Sequence, residues 1–221
     1  MEDFSNLIIY SSSKNLSLRE MNLAFSVFRE QGFGGFISDS SSLSEIMSEQ
    51  KYSENAYCSL GFPYSGIHKD IIMNSLIYLE SIQSIGCGGF VLSVDKNDVE
   101  TSSWDEVRGF VQEASALTDR PIFISIDPTW CTQPEDISRF FSIISSQQQV
   151  LPIVDMSGVS QSNIEEKLRY FGKICELSTT KGITLFCPGY KKHAIAVNPK
   201  DYGFDKVIIS PSMAVAISRE Y

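Results

Sequence analysis

The sequence predicts an α/β fold, a single (β/α)8 barrel, and three observations carry that prediction. Eight short runs rich in β-branched and aromatic residues recur along the whole chain. Helical patterns follow them, and many open on a capping signal. The chain has 221 residues, so eight such units leave no space for a second domain, and 1–221 reads as one domain. An open doubly wound sheet is the alternative layout for the same alternation.

The runs are Leu7–Tyr10, Gly35–Ser38, Tyr57–Leu60, Phe90–Val94, Ile122–Ile126, Leu151–Val154, Thr184–Phe186 and Val207–Ile209. They are nearly continuous in apolar character, as expected of strands buried on both faces. Helix starts are predicted at Ser17-Leu-Arg-Glu20, Ser42-Leu-Ser-Glu45, Ser103-Trp-Asp-Glu106, Thr132-Gln-Pro-Glu135 and Ser162-Asn-Ile-Glu165. In each, the hydroxyl can accept from a first-turn N–H while the glutamate reaches back to the cap. Apolar stripes follow at helical spacing: Leu18, Met21, Phe25, Phe28; Val107, Phe110, Val111, Ala114; Ile137, Phe140, Phe141, Ile144. Gly32, Gly86 and Gly182 are read as C′ glycines closing helices.

Composition narrows the function. Against 27 acidic side chains stand 18 basic ones, a net charge of −9 and a pI near 4.7. No dense basic patch offsets that balance, which argues against nucleic-acid and anionic-membrane surfaces. The chain opens on Glu2 and Asp3 and contains no long apolar run, so neither a secretory signal nor a membrane span is expected. Five widely spaced cysteines, with no CxxC pair, fit free thiols in a reducing compartment. The expectation is a cytoplasmic protein.

In such a barrel, chemistry sits at the C-terminal ends of the strands. Four of the predicted strands run into an aspartate: Asp39, Asp95, Asp127 and Asp155. Converging carboxylates raise one another's pKa, share protons or recruit a cation. Asp95, Asp127 and Asp155 are therefore candidate catalytic groups, and Asp95 with Asp127 a candidate metal pair. The plain alternative is that each Asp caps its own loop. Without histidines at these strand ends, a metal would be a hard, oxygen-preferring ion, magnesium or manganese. The last strand leads into Ser210-Pro-Ser212, and Gly189 and Lys191 follow strand 7. Together they form a candidate phosphate site near a helix start, with a plain helix cap as the alternative.

Leu60-Gly-Phe-Pro-Tyr-Ser-Gly66 and Gly86-Cys-Gly-Gly-Phe-Val91 resemble motifs of the deoxyribose-phosphate aldolase family, I-G-F-P-x-G and the run into its fourth strand. Ile8-Ile-Tyr-Ser-Ser-Ser-Lys14 and Gln31-Gly-Phe-Gly-Gly-Phe-Ile37 are similar to the family's first unit. Beyond residue 120 the likeness thins to element order, with Ser157-Gly158 and 210–214 as its best echoes. The resemblance implies a barrel aldolase with a Schiff-base lysine on strand 6, an aspartate on strand 4 and a second lysine on strand 7. At the matching positions this chain has Val154, Val91 and Cys187, and the strand 1 aspartate falls on Ile9. A valine cannot form an imine.

Two functions follow from these residues. One is a barrel without Schiff-base activity, kept as a binding or interaction module for a small phosphorylated sugar or a protein partner. The other is an altered lyase in which the strand-end aspartates act on a phosphorylated hydroxy-carbonyl compound, with metal or by acid/base chemistry. A homodimer is compatible with either.

Overall fold

The structure is a computed structural model, and it describes residues 4–12, 16–49, 53–63, 68–82, 87–100, 103–131, 133–160, 162–187 and 199–220. Eight parallel strands close into a barrel in sequence order. They are β1 (Leu7–Tyr10), β2 (Gly35–Asp39), β3 (Ser53–Leu60), β4 (Cys87–Ser93), β5 (Ile122–Ile126), β6 (Val150–Asp155), β7 (Thr184–Phe186) and β8 (Lys206–Ile209). Every predicted run is a strand. The main extension is at β3, which begins four residues early and carries an irregularity between Ser53 and Tyr57.

Around the barrel stand α1 (Leu18–Gln31), α2 (Ser40–Glu49), α3 (Lys69–Ile82), the short α4 (Lys96–Glu100), α5 (Trp104–Leu117), α6 (Pro134–Ser145), α7 (Ile164–Leu177) and α8 (Pro211–Glu220). Short 3₁₀ turns at Pro128–Trp130, Met156–Gly158 and Pro199–Tyr202 complete the described elements. No described helix is long and apolar enough to cross a membrane.

Apart from the exposed Glu54 and Asn55 at the start of β3, the strands are largely buried on both faces, and the two faces pack into two separate clusters. Ile8, Ile37, Tyr57, Val91, Phe123, Ile153, Phe186 and Ile208 meet inside the barrel, with Phe62 from the loop after β3. Their alternation partners, including Ile9, Phe36, Cys58, Phe90, Ile124, Val154 and Leu185, face the helices in a second, larger cluster. Met21, Phe25 and Phe28 of α1 and the predicted stripes of α5 and α6 join this outer cluster, each fully buried large side chain contributing about 1.5–3 kcal/mol. Two glycines let β4 fit between its neighbours. A Cβ at Gly88 would stand 1.7 Å from the carbonyl oxygen of Glu54, and one at Gly89 would stand 2.2 Å from that of Pro121.

The capping prediction holds for one helix and shifts for others. At α1 the Ser17 N–H donates to Glu20 Oε2 at 2.8 Å, and the Glu20 N–H donates to Ser17 Oγ at 3.4 Å. Elsewhere a neighbour takes over. Asp39 accepts from the Ser42 N–H, so α2 starts at Ser40, before the predicted box. Gln133 caps α6, its N–H donating to Asp136. Ser103 and Asn163 precede α5 and α7 without a side-chain cap bond. Gly32 closes α1 with φ 70°, whereas Gly182, with φ 73°, turns the chain into β7 well after α7 has ended at Leu177. Gly86 and Thr132 lie outside the described residues.

Candidate functional site

The inner cluster forms an apolar floor, and polar side chains stand above it at the C-terminal end. Alternation carries Tyr10, Asp39, Ser59, Ser93, Ser125 and Asp155 to the same inner face, one step above Ile8, Ile37, Tyr57, Val91, Phe123 and Ile153. Ser93 and Ser125 are buried and share a hydrogen bond of 2.8 Å across β4 and β5. Ser59 Oγ donates to the carbonyl oxygen of Phe62 at 2.6 Å, holding that turn over the barrel. Tyr10 packs edge-on against Phe62 and Phe186, with ring centroids 5.5 and 5.6 Å apart.

Tyr10 was not singled out by its residue type, yet its phenol is shifted by its surroundings on this face. Burial pushes its phenol above the usual value, and the nearby carboxylates of Asp39 and Asp155 push the same way against a hydrogen bond with Ser12. Its raised value means the folded state binds the phenolic proton more tightly than the unfolded chain. That stability is present in full below the unfolded value of 10.0 and is lost as pH rises through the raised one. In an absorbance titration, Tyr10→Phe should remove a phenol that ionises later than exposed tyrosines and flatten part of the alkaline stability loss. An unchanged titration would contradict this placement.

The three predicted catalytic aspartates differ in setting. Asp155 is almost wholly buried, and its Oδ1 accepts from the Ser157 N–H at 2.9 Å. Asp127 is also buried, and its Oδ1 accepts from the Thr129 N–H at 2.8 Å and from Thr129 Oγ1 at 2.7 Å. Its Oδ2 turns toward the loop after β6, only 2.2 Å from where a Cβ on Gly158 would stand. Asp95 is half-buried beyond the end of β4 and accepts from the Asn97 N–H at 2.8 Å. Each carboxylate therefore caps its own βα loop, although the loops carrying Asp127 and Asp155 do pack together. Among the described residues, no group of three or more His, Cys, Asp or Glu is arranged to hold a metal ion.

At the start of α8, Ser210 Oγ lies 3.0 Å from Ser212 Oγ and accepts from the Met213 N–H at 3.3 Å. This is the geometry of an N-cap with Pro211 in the first turn. Gly189 and Lys191, the other half of the expected phosphate site, lie outside the described residues. Trp130 packs into the outer cluster rather than over the barrel mouth.

The positions matched to the aldolase site fall on both faces of the strands. Val91 faces the barrel interior as expected. Ile9 and Val154 face outward into the helix-side core, and Cys187 packs against that core too. The inward side chains on those strands are Ile8 and Tyr10 on β1, Ile153 and Asp155 on β6, and Phe186 on β7. Both faces are apolar, so residue type along these strands does not tell the axis from the helix layer. Lys206 is the one lysine on the eight strands, at the N-terminal end of β8, opposite the mouth. None of the five cysteines is in a disulfide. Burial pushes the Cys58 thiol up and takes Cys131 and Cys175 to about 12, so these three are not poised as nucleophiles.

The chain is thus a closed (β/α)8 barrel with polar side chains at its C-terminal mouth. No protein-family model and no curated protein matches the chain. Among solved structures it resembles deoxyribose-phosphate aldolases. The Aeropyrum pernix enzyme, a tetramer, aligns over 98% of this chain and 90% of its own, at 13% identity and TM-score 0.73. An aldolase called QR15 aligns over 99% and 97%, at 14% identity and TM-score 0.75. A 3-keto-D-glucoside 4-epimerase from E. coli also aligns, over 96% and 99%, at 13% identity and TM-score 0.53. At such identities the likeness is one of fold, and this fold hosts several chemistries.

Proposed function

We propose that the chain is a deoxyribose-phosphate-aldolase-like barrel without Schiff-base activity that works as a binding or interaction module. One observation carries this reading: the inward positions of β1, β4, β6 and β7 hold Tyr10, Val91, Ile153, Asp155 and Phe186, and none is an amine. An imine needs an uncharged lysine amine within reach of the substrate carbonyl. The hydroxyls of Tyr10, Ser93 and Ser125 and the carboxylates of Asp39 and Asp155 suit a polyhydroxylated ligand, each able to hydrogen-bond a ligand hydroxyl. Ser210 and Ser212, with Gly189 and Lys191, would hold its phosphate beside the start of α8.

A second reading, an altered lyase, draws on the buried Asp155 beside Tyr10. There the carboxylate would serve as base and the phenol as acid, with Asp127 supporting the loop.

The deciding experiment incubates the protein with 2-deoxyribose 5-phosphate, with and without magnesium or manganese. Borohydride trapping, melting curves and product analysis are then run on the same samples. The binding reading expects a raised Tm with the sugar phosphate, no covalent adduct and no turnover. Turnover that disappears in Asp155→Asn would replace it with the lyase reading. A trapped adduct would refute both.

A further inference from the structure

On the outside of the barrel, α6 and α7 flank a seam that holds two successive clefts. The upper one, about 450 Å³, lies between the turn after β5, the Gln133 cap of α6 and the first half of α7. Its α7 wall presents Lys167, Arg169, Tyr170 and Lys173 against one carboxylate, Glu166, and all five are exposed. That wall carries 3 − 1 = +2 in a protein of net charge −9. The Lys167 ammonium lies 5.9 Å from the Tyr170 ring centre and 5.8 Å from that of Phe171, a cation–π arrangement that fixes its place. Among the described residues, neither Arg169 nor Lys173 pairs with a carboxylate. The lower cleft, about 510 Å³, continues between α6 and the C-terminal half of α7. Its lining holds hydroxyls and apolar groups without a charge: Ser138, Ser142 and Ser145 on one side, Ile174 and Leu177 on the other. Leu177 is 87% exposed.

We propose that this seam docks an extended segment of a partner protein, acidic at the end nearer the barrel mouth and apolar at the other. Charge complementarity selects the acidic end. Most of the surface of a −9 protein repels carboxylates, and the unpaired cations of the upper cleft reverse that locally. A second copy of the chain would bring its whole −9 charge to the contact, whereas a short segment brings only the few carboxylates that the cleft can meet. A small anion would use the upper cleft alone and leave Leu177 in water. The dimensions suit a segment. Lys167 to Lys173 covers six helical rises, about 9 Å, and side chains on one face of an extended chain recur about every 7 Å. Two carboxylates of one segment therefore match the row of cations. Gln133 to Ser146 covers about 20 Å of α6, the length of about six extended residues, so an apolar side chain at the far end reaches Ile174 and Leu177. The seam lies outside the mouth, and this docking does not depend on a sugar phosphate binding there.

A phage-displayed library of random heptapeptides, panned on the full chain, tests the proposal without presupposing a partner. Selected peptides should be enriched in Asp and Glu at one end and in Leu, Ile or Phe at the other. The best of them, synthesised and labelled, should bind in fluorescence anisotropy with an affinity that falls as salt rises. Arg169→Glu and Lys173→Glu should each weaken binding by roughly tenfold or more, and Leu177→Ser by several-fold, with circular dichroism unchanged. Arg219→Glu makes the same charge change on α8, which packs against α1, and should leave the affinity as it is. A selection without that pattern would overturn the proposal, as would binding that ignores Arg169→Glu and Lys173→Glu or falls equally in Arg219→Glu. Full affinity in Leu177→Ser would reduce the site to an anion cleft and overturn the docked segment. A concentration-dependent dimer abolished by the same α7 substitutions would also overturn it and give the seam to a second copy.

Discussion

Val154→Lys is expected to cost about 3–5 kcal/mol and to yield no imine, whereas Ile153→Lys should put an amine in the barrel interior. The two residues are sequence neighbours on β6, but Val154 packs among the helices and Ile153 faces the axis. An ammonium on the outer face would be fully desolvated among the apolar side chains of the outer cluster. For a domain of ordinary stability, about 5–15 kcal/mol, that is a large fraction of the total. At residue 153 the long side chain can rise toward the mouth, where Asp155 and Tyr10 stand on the same face. Burial there disfavours the charged form of the amine and brings its pKa down toward the range in which it attacks carbonyls. Attack on a small aldehyde with loss of water gives an imine, and borohydride reduces that imine to a secondary amine that mass spectrometry locates. The expected pattern is an adduct at residue 153 in one variant, and a lowered denaturation midpoint without adduct in the other. A stable Val154→Lys protein that forms the adduct would reverse the face assignment on β6.

That contrast marks where the sequence was legible. All eight strands could be read, because runs such as Ile122–Ile126 are apolar enough to announce burial on both sides. The same property hid the register. In Ile8-Ile9 and Ile153-Val154 both residues are apolar, so nothing in residue type tells the axis from the helix layer. A shift of one residue along a strand moves a side chain to the opposite face. Tyr10 stayed unassigned for the same reason, since an aromatic residue suits either layer. The S-x-x-E signals marked where helices begin but rarely which atoms close the cap. At α2 the strand-end Asp39 is nearer the first turn than Ser42 and takes its N–H. The strand-end aspartates were legible as a set. Their shared environment was not, because loop capping and convergence use the same residue type at the same place.

Asp127 and Gly158 offer a direct way to separate those two roles. Gly158→Ala should destabilise the protein by about 1–3 kcal/mol, because the new Cβ would lie 2.2 Å from Asp127 Oδ2. The backbone at residue 158 is not in the left-handed region, so alanine meets no conformational penalty and the cost is steric. The carboxylate cannot swing away freely, since its other oxygen accepts both the Thr129 N–H and Thr129 Oγ1. Asp127→Ala alone should cost on the order of 1 kcal/mol through the lost cap. In the double variant the clash and its target disappear together, so the two costs should fail to add by on the order of 1 kcal/mol or more. Urea denaturation of the four proteins measures that coupling. A large coupling would mean that Asp127 is held between its own loop and the loop after β6, a structural clasp beside Asp155. Additive costs would mean that the carboxylate turns away from Gly158 in solution and is available to a ligand or a cation at the mouth.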